Sequence, residues 1–186
     1  MGNTENMAKF LPGRPEPDEH APYVAKYAAL VAEDDIFAAL KDQSSGIAPV
    51  AAALTDEQAL HRYAPDKWSI KEILEHVADT ERVLAYRALR IARGDRTPLA
   101  SFEHDDYVKI AGSDRRALKS LLDNLSAVRA ATVALFESLT PEDWTRRGIA
   151  SNHEISVRAL AYFVAGHDRH HASILKRKYL AKSSEL

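Results

Sequence analysis

Apolar residues in this chain recur every three to four positions in four separate stretches, and no stretch shows a convincing alternation of apolar and polar residues. A three-to-four spacing lines up one face of an α-helix, whereas a half-buried strand needs a period of two. The chain is thereby confined to helices whose apolar faces must cover one another, and four amphipathic helices meet that need most simply as an all-α, up-and-down four-helix bundle.

The first stretch, 34–54, follows a short helical piece around Tyr23 to Val31. Ser44, Ser45, Gly46 and Pro49 interrupt it, so a bend or a split is expected there. The second is the best marked. Ser69 is a natural N-cap and Glu72 stands three residues on, which is a capping box, while Trp68 and Ile73 form a hydrophobic staple. Leu74, Val77, Leu84, Ala88 and Ile91 continue the stripe until Gly94 and Pro98 close the helix. The third stretch is expected to start near Ser113 and Asp114 and to run through Leu118, Leu121, Leu125, Val128, Thr132 and Phe136 before Pro141. The fourth opens at Ser156, a second N-cap, and carries Leu160, Val164, His167, His171 and Ile174 on one stripe, with Tyr179 near its end. The segment 97–112 is expected to be a long connection, of the kind that often covers a site.

A chain of 186 residues, 46% apolar and 28% charged, is globular and of one-domain size. Residues 1–20, with Pro12, Pro15 and Pro17, are expected to form an extended arm, and 21–186 a single helical domain. Lys plus Arg number 25 against 27 Asp plus Glu, so nothing in the charge balance calls for nucleic acid or an anionic membrane. No apolar run is long enough to span a bilayer, and the N-terminus lacks the apolar core of a signal peptide, so a cytoplasmic protein is expected. The absence of cysteine removes disulfides, thiolate ligands and a cysteine nucleophile together.

The histidines carry the chemistry. His167 and His171 are four residues apart within an apolar stripe, so their rings project one turn apart from a face that turns inward. Burying two imidazoles is unfavourable unless their nitrogens find partners. His76, beside the stripe of the second helix, could meet them if the second and fourth helices pack. Three imidazoles with an open fourth position make a catalytic type of metal centre, since structural sites close with four protein ligands. The alternative is a pair of ordinary core histidines bonded to neighbouring groups. His170 points about a third of a turn away. His20, His61 and His153 read as loop or surface residues, and His104 is placed where the 97–112 segment could reach the site.

Residues 167–171 also match the zincin spacing H-E-x-x-H with Asp168 in the glutamate's place, which would make Asp168 a candidate catalytic base. Aspartate reaches less far than glutamate, and beyond His171 there is no histidine and only Glu185 as a carboxylate side chain. A third ligand must come from upstream. Asp168 then reads as a solvated helix residue or as a partner for Arg169 or a neighbouring histidine.

The stretch from Tyr63 to His76 (YAPDKWSIKEILEH) resembles the DinB-like superfamily, in the branch related to bacillithiol-transferase and YfiT-type proteins. So do Ala78 to Arg82, Tyr86 to Asp95, Ser156 to Leu160 and Ala165 to His167, and the likeness extends from about Pro15 to Tyr179. The specific element is one histidine on the second helix and H-x-x-x-H on the last. The resemblance implies a four-helix bundle with a divalent metal, zinc or nickel, held by His76, His167 and His171 and completed by water. It implies a thiol S-transferase, in which a low-molecular-weight thiol attacks an electrophile, or a metal-dependent hydrolase, acting on a small-molecule substrate and often as a homodimer. The superfamily's name implies no DNA binding. This chain departs from the usual pattern in Gly46 and Pro49, and in Asp168 where glutamate is common. Glu103, Asp105, Asp106, Arg87 and Arg90 could bind a charged substrate or could simply be solvated. The rival to an enzyme is a non-catalytic bundle that the metal stabilises for a binding or stress-response role.

Overall fold

The computed structural model describes residues 10–181. Residues 1–9 of the expected arm, and Glu185, lie outside the described residues. Within them, 10–16 have no regular secondary structure and Pro17–Glu19 form one 3-10 turn.

Eight α-helices follow in chain order: α1 (Pro22–Ala28), α2 (Ile36–Lys41), α3 (Ile47–Ala52), α4 (Ile70–Ala92), α5 (His104–Ala111), α6 (Leu118–Glu137), α7 (Pro141–Thr145) and α8 (Val157–Ile174). The first stretch is indeed split, into α2 and α3 around a 3-10 turn at Gln43–Ser45. α4 packs along both α6 and α8, and the α2–α3 segment also packs on both. The α2–α3 segment and α4 therefore occupy opposite corners of the bundle, and α1 lies outside it against α8.

Local caps explain the clearest boundaries. Ser69 and Glu72 form the reciprocal capping box at the head of α4. The Ser156 hydroxyl accepts from the Ala159 N–H at 3.0 Å to start α8. Two boundaries depart from expectation. α6 begins at Leu118, not near Ser113, because Ser113–Arg115 form a 3-10 turn whose Asp114 accepts from Ser69 Oγ at 2.5 Å and Arg62 Nη2 at 2.6 Å. The segment 97–112 is not a bare loop, since it contains α5, which has only Val108 buried and so no stripe to betray it.

A hairpin of β1 (Arg147–Ala150) and β2 (His153–Ser156) was also not expected. Its two turn residues, Ser151 and Asn152, both have positive φ, at 50° and 63°, the sign a two-residue hairpin turn requires. Leu99 of the α4–α5 connection pairs with this hairpin: its N–H donates to the Ile149 carbonyl at 2.9 Å, and its carbonyl accepts from Ser151 N–H at 3.0 Å. That pairing brings the connection over one end of α4.

The apolar core falls into two clusters. One gathers Leu84 and Ile91 of α4 with Phe37, Phe136, Trp144, Leu160 and Tyr162. The other gathers Ile70, Leu74 and Val77 of α4 with Ile47, Leu121, Leu125 and Leu175. Between them lies a layer of buried polar side chains: His76, Thr80 and Glu81 on α4, Arg129 and Thr132 on α6, His167 and Asp168 on α8. Among the described residues, no helix is long and apolar enough to cross a membrane.

Candidate metal centre

The polar layer faces two ways. On one side of α8, His167 and His171 turn toward His76 of α4. His167 Nε2 lies 3.2 Å from His76 Nε2 and 3.1 Å from His171 Nε2. The ring of His76 is centred 5.0 Å from each of the other two. His76 and His167 are buried and His171 partly so. Three nitrogens each about 2.0–2.1 Å from one tetrahedral ion would stand about 3.3 Å apart. The spacing observed fits one ion held by three nitrogens. Among the described residues no other His, Cys, Asp or Glu joins the cluster.

Electrostatics favour the neutral, ligating form of each ring. Burial, then the neighbouring His104, pushes the His76 pKa from 6.5 down to about 4. Burial and the facing imidazoles push His167 and His171 well below the usual histidine range. The Nδ1 atom of His171 is buried with no hydrogen-bond partner in the described structure, so nothing there orients this ring through its far nitrogen.

The cluster sits at a cavity of about 390 Å³. Its walls come from four directions. α1 supplies Tyr23 and Tyr27; the Tyr27 ring stacks on Phe163 at 4.8 Å and meets His167 edge-on at 5.6 Å. Trp68, just before α4, lies 4.7 Å from the His76 ring and meets His104 edge-on at 5.8 Å. The α4–α5 connection contributes Phe102, and the hairpin tip contributes Ser151. Thr80, one turn beyond His76, lines the cavity and has a buried hydroxyl without a partner among the described residues.

His104 and His170 both line the cavity. His104 is exposed at the start of α5, 5.6 Å from the His76 ring, and His170 meets Tyr27 at 5.3 Å. His20, His61 and His153 are not in the cavity lining. His61 lies edge-on to Tyr179 at 6.0 Å, and His153 is exposed beside Tyr23.

Asp168 faces the other way and is not solvated. Its Oδ1 accepts from the Ile47 N–H at 2.8 Å and its Oδ2 pairs with Arg129 at 3.2 Å, so its carboxylate is turned from the histidines and is not placed to act as their base. Arg169, its expected partner, instead binds Glu33 at 2.7 Å. Arg129 also makes a two-point pair with Glu81, at 2.9 Å twice. Of the candidate substrate-binding charges, Arg90 pairs with Asp95 and Tyr86, Glu103, Asp105 and Asp106 are exposed, and only Arg87 lines the cavity. The aromatic wall from α1 was missed in the sequence, although the i, i+4 spacing of Tyr23 and Tyr27 on a short helical piece was its visible trace.

Fold and cluster together define a helical bundle with an interior three-histidine centre that opens on a cavity. The chain belongs to the DinB superfamily, whose sequence profile matches residues 39–175. It is 26% identical over 147 residues to a protein of Geobacillus kaustophilus, covering 76% of this chain and 83% of that one. It is 30% identical over 146 residues to one of Bacillus licheniformis, covering 74% and 79%. Both relatives carry the name "putative metal-dependent hydrolase". In structure the chain is similar to YfiT from Bacillus subtilis, described as "a probable metal-dependent hydrolase with an unusual four-helix bundle topology". The TM-score is 0.63 at 18% identity, over 88% of this chain and 91% of that one. It is also similar to the mycothiol-dependent maleylpyruvate isomerase, with a TM-score of 0.63 at 10% identity over 78% of this chain and 61% of that one.

Proposed function

We propose that this protein is a metal-dependent enzyme, a hydrolase of a small molecule, in which His76, His167 and His171 hold one divalent transition metal, zinc or nickel. The observation that carries the reading is the convergence of three imidazoles on the wall of an open cavity, with His167 Nε2 3.2 Å from His76 Nε2 and 3.1 Å from His171 Nε2 and one nitrogen of each ring within 4.8 Å of the others. A closed structural centre would draw on a fourth protein ligand, and none stands beside these three among the described residues. The relatives' names support hydrolysis.

A divalent ion bound there would act as a Lewis acid toward a substrate oxygen and would lower the pKa of a water or thiol at neutral pH. The chain's own residues supply the rest. Burial keeps the three rings neutral and ready to donate lone pairs. Trp68 and Tyr27 flank the rings of His76 and His167 and limit their rotation. The free Thr80 hydroxyl can donate to or accept from a substrate group close to His76.

Metal analysis of the purified chain tests the reading directly. About one equivalent of zinc or nickel per chain is expected, falling sharply in His167→Ala. Reloading a chelated sample at a hundredfold excess over Kd should stabilise it by about 2.7 kcal/mol, roughly 5–10 °C in Tm. A chain that binds neither ion, or a His167→Ala variant that binds as well as wild type, would overturn it. Turnover of ester and amide panels is the expected activity. Turnover only with an added low-molecular-weight thiol and an electrophile would move the reaction class to thiol transfer.

A further inference from the structure

Arg87 is a charged group at the cavity that no carboxylate among the described residues neutralises. It lies eleven residues after His76 on α4, three helical turns plus about 20°, so the two side chains leave the same face about 16 Å apart along the axis. Arg87 is only 6% exposed. The other buried lysine and arginine of the described structure each have an acid: Arg129 has Glu81 and Asp168, and Lys71 has Asp56. Arg87 Nη2 donates to the Ala100 carbonyl and the Ser151 hydroxyl, both at 2.8 Å, and its guanidinium lies 5.9 Å from the Phe102 ring centroid. Its Nε and Nη1 donate to no described group.

Bridging a carbonyl and a hydroxyl needs donors but no charge. A buried guanidinium that only braced the connection to the hairpin would bear the penalty of desolvating a cation to no purpose. Burial lowers the Arg87 pKa, and the influence that opposes it is the phenol of Tyr23, not a carboxylate. The free side of this guanidinium opens on the cavity, where an anionic group from solution would complete it. The remaining donors, on Nε and Nη1, leave different edges of the guanidinium, and each can give a charge-assisted bond to an anion. Among the described residues no lysine and no second arginine lines the cavity, so a phosphate dianion would lack most of the cations it needs. Between Arg87 and the histidines the lining is apolar and aromatic, with Leu84 and Phe163, apart from the Thr80 hydroxyl close to His76.

We propose that Arg87 anchors a carboxylate of the substrate, so that the molecule acted on carries a carboxylate at one end, an apolar middle and its reacting group at the histidine end. This rests on the cavity being the substrate site, as proposed above, but not on which metal the histidines hold.

The test compares binding of 4-phenylbutyrate with its neutral amide, 4-phenylbutanamide, by calorimetry on the full chain. Wild type should bind the carboxylate about tenfold or more tighter. Arg87→Gln should bind both alike, and Ser151→Ala, which removes only one brace contact, should keep the preference. The proposal fails if wild type binds neither probe, shows no preference, or binds phenylphosphonate better than the carboxylate. It also fails if folded Arg87→Gln keeps the preference. His167→Ala separates the two readings. Retained carboxylate preference with lost metal supports Arg87 alone, whereas wild type that binds metal but does not discriminate the probes overturns the Arg87 assignment and leaves the metal centre intact.

Discussion

Replacing Gly166 by alanine sets two known effects against each other. Gly166 lies inside α8, one residue before His167, where α1 crosses the helix. A Cβ at this position would sit 2.0 Å from the Tyr27 carbonyl oxygen and 2.5 Å from its carbon. A carbon and a carbonyl oxygen normally approach to about 3.3 Å, so α1 would have to retreat by roughly 1.3 Å. Helix propensity alone favours alanine by about 1 kcal/mol. Overpacking costs about 1–3 kcal/mol where side chains can adjust, and here the obstacle is backbone that cannot rotate away. The clash wins, and a net loss of about 2 kcal/mol is expected, or roughly 4–8 °C in Tm for a chain of this size. Urea and thermal unfolding against wild type measure it. The same shift moves Tyr27, which packs on Phe163 and His167, so metal affinity should fall as well. A Gly166→Ala variant as stable as wild type, or more so, would refute the claim that α1 is pressed onto α8 at this point.

Arg129→Met leaves Glu81 and Asp168 buried without their cation, and a loss of about 3–5 kcal/mol in urea unfolding is expected; a loss below about 1 kcal/mol would mean that water reaches the pair. Asp168→Glu pushes a longer acid against Gly46, where even a Cβ would lie 2.5 Å from Asp168 Oδ2, so a loss of about 1–3 kcal/mol is expected by the same assay. The metal-free protein should lose stability as pH falls. The folded-state pKa of His76 is lowered to about 4 from 6.5, so the unfolded chain takes up protons first, and stability present above about pH 6.5 drains away toward pH 4. His76 alone accounts for about 2 kcal/mol between pH 6.5 and 5, and a flat urea midpoint over that range would count against its burial as a neutral ring.

What the sequence made legible follows the distance over which each helix is capped. α4 and α8 begin at Ser69 and Ser156, whose side chains reach N–H groups three residues on, and both starts could be read from local pattern. α3 and α6 are capped from afar. The Ile47 N–H donates to Asp168, 121 residues later, and the Leu118 N–H donates to Asp56, 62 residues earlier. No local signal marks such a start, and the α6 boundary was accordingly misplaced. The hairpin escaped for another reason: its strands have four residues each, too few for alternation to register, and its Ser-Asn turn lacks glycine. The three histidines were visible through spacing and stripe. The cavity's far wall was not, because Tyr23, Phe102 and Ser151 come from a short helix, a connection and a turn with no shared periodicity.

Gly46 and Asp168, which the sequence marks separately, form one feature. Gly46 has no side chain because the Asp168 carboxylate occupies that space, and Asp168 is the shorter acid because the backbone at 46 and 47 stands so close. The carboxylate caps α3 and, through Arg129, joins α8 to Glu81 of α4. His167 is the next residue before it on α8, about 100° around the helix. Fixing Asp168 against α3 and α6 therefore fixes the rotation of α8 about its axis, and that rotation decides whether His167 and His171 face His76. Apolar packing alone would hold the two core clusters together in more than one rotational setting, since leucine and alanine faces tolerate sliding. A charged layer between them does not, because any slip strands a buried carboxylate without its partner. The brace on one side of α8 is thus the means by which the three-histidine cluster on its other side keeps its geometry.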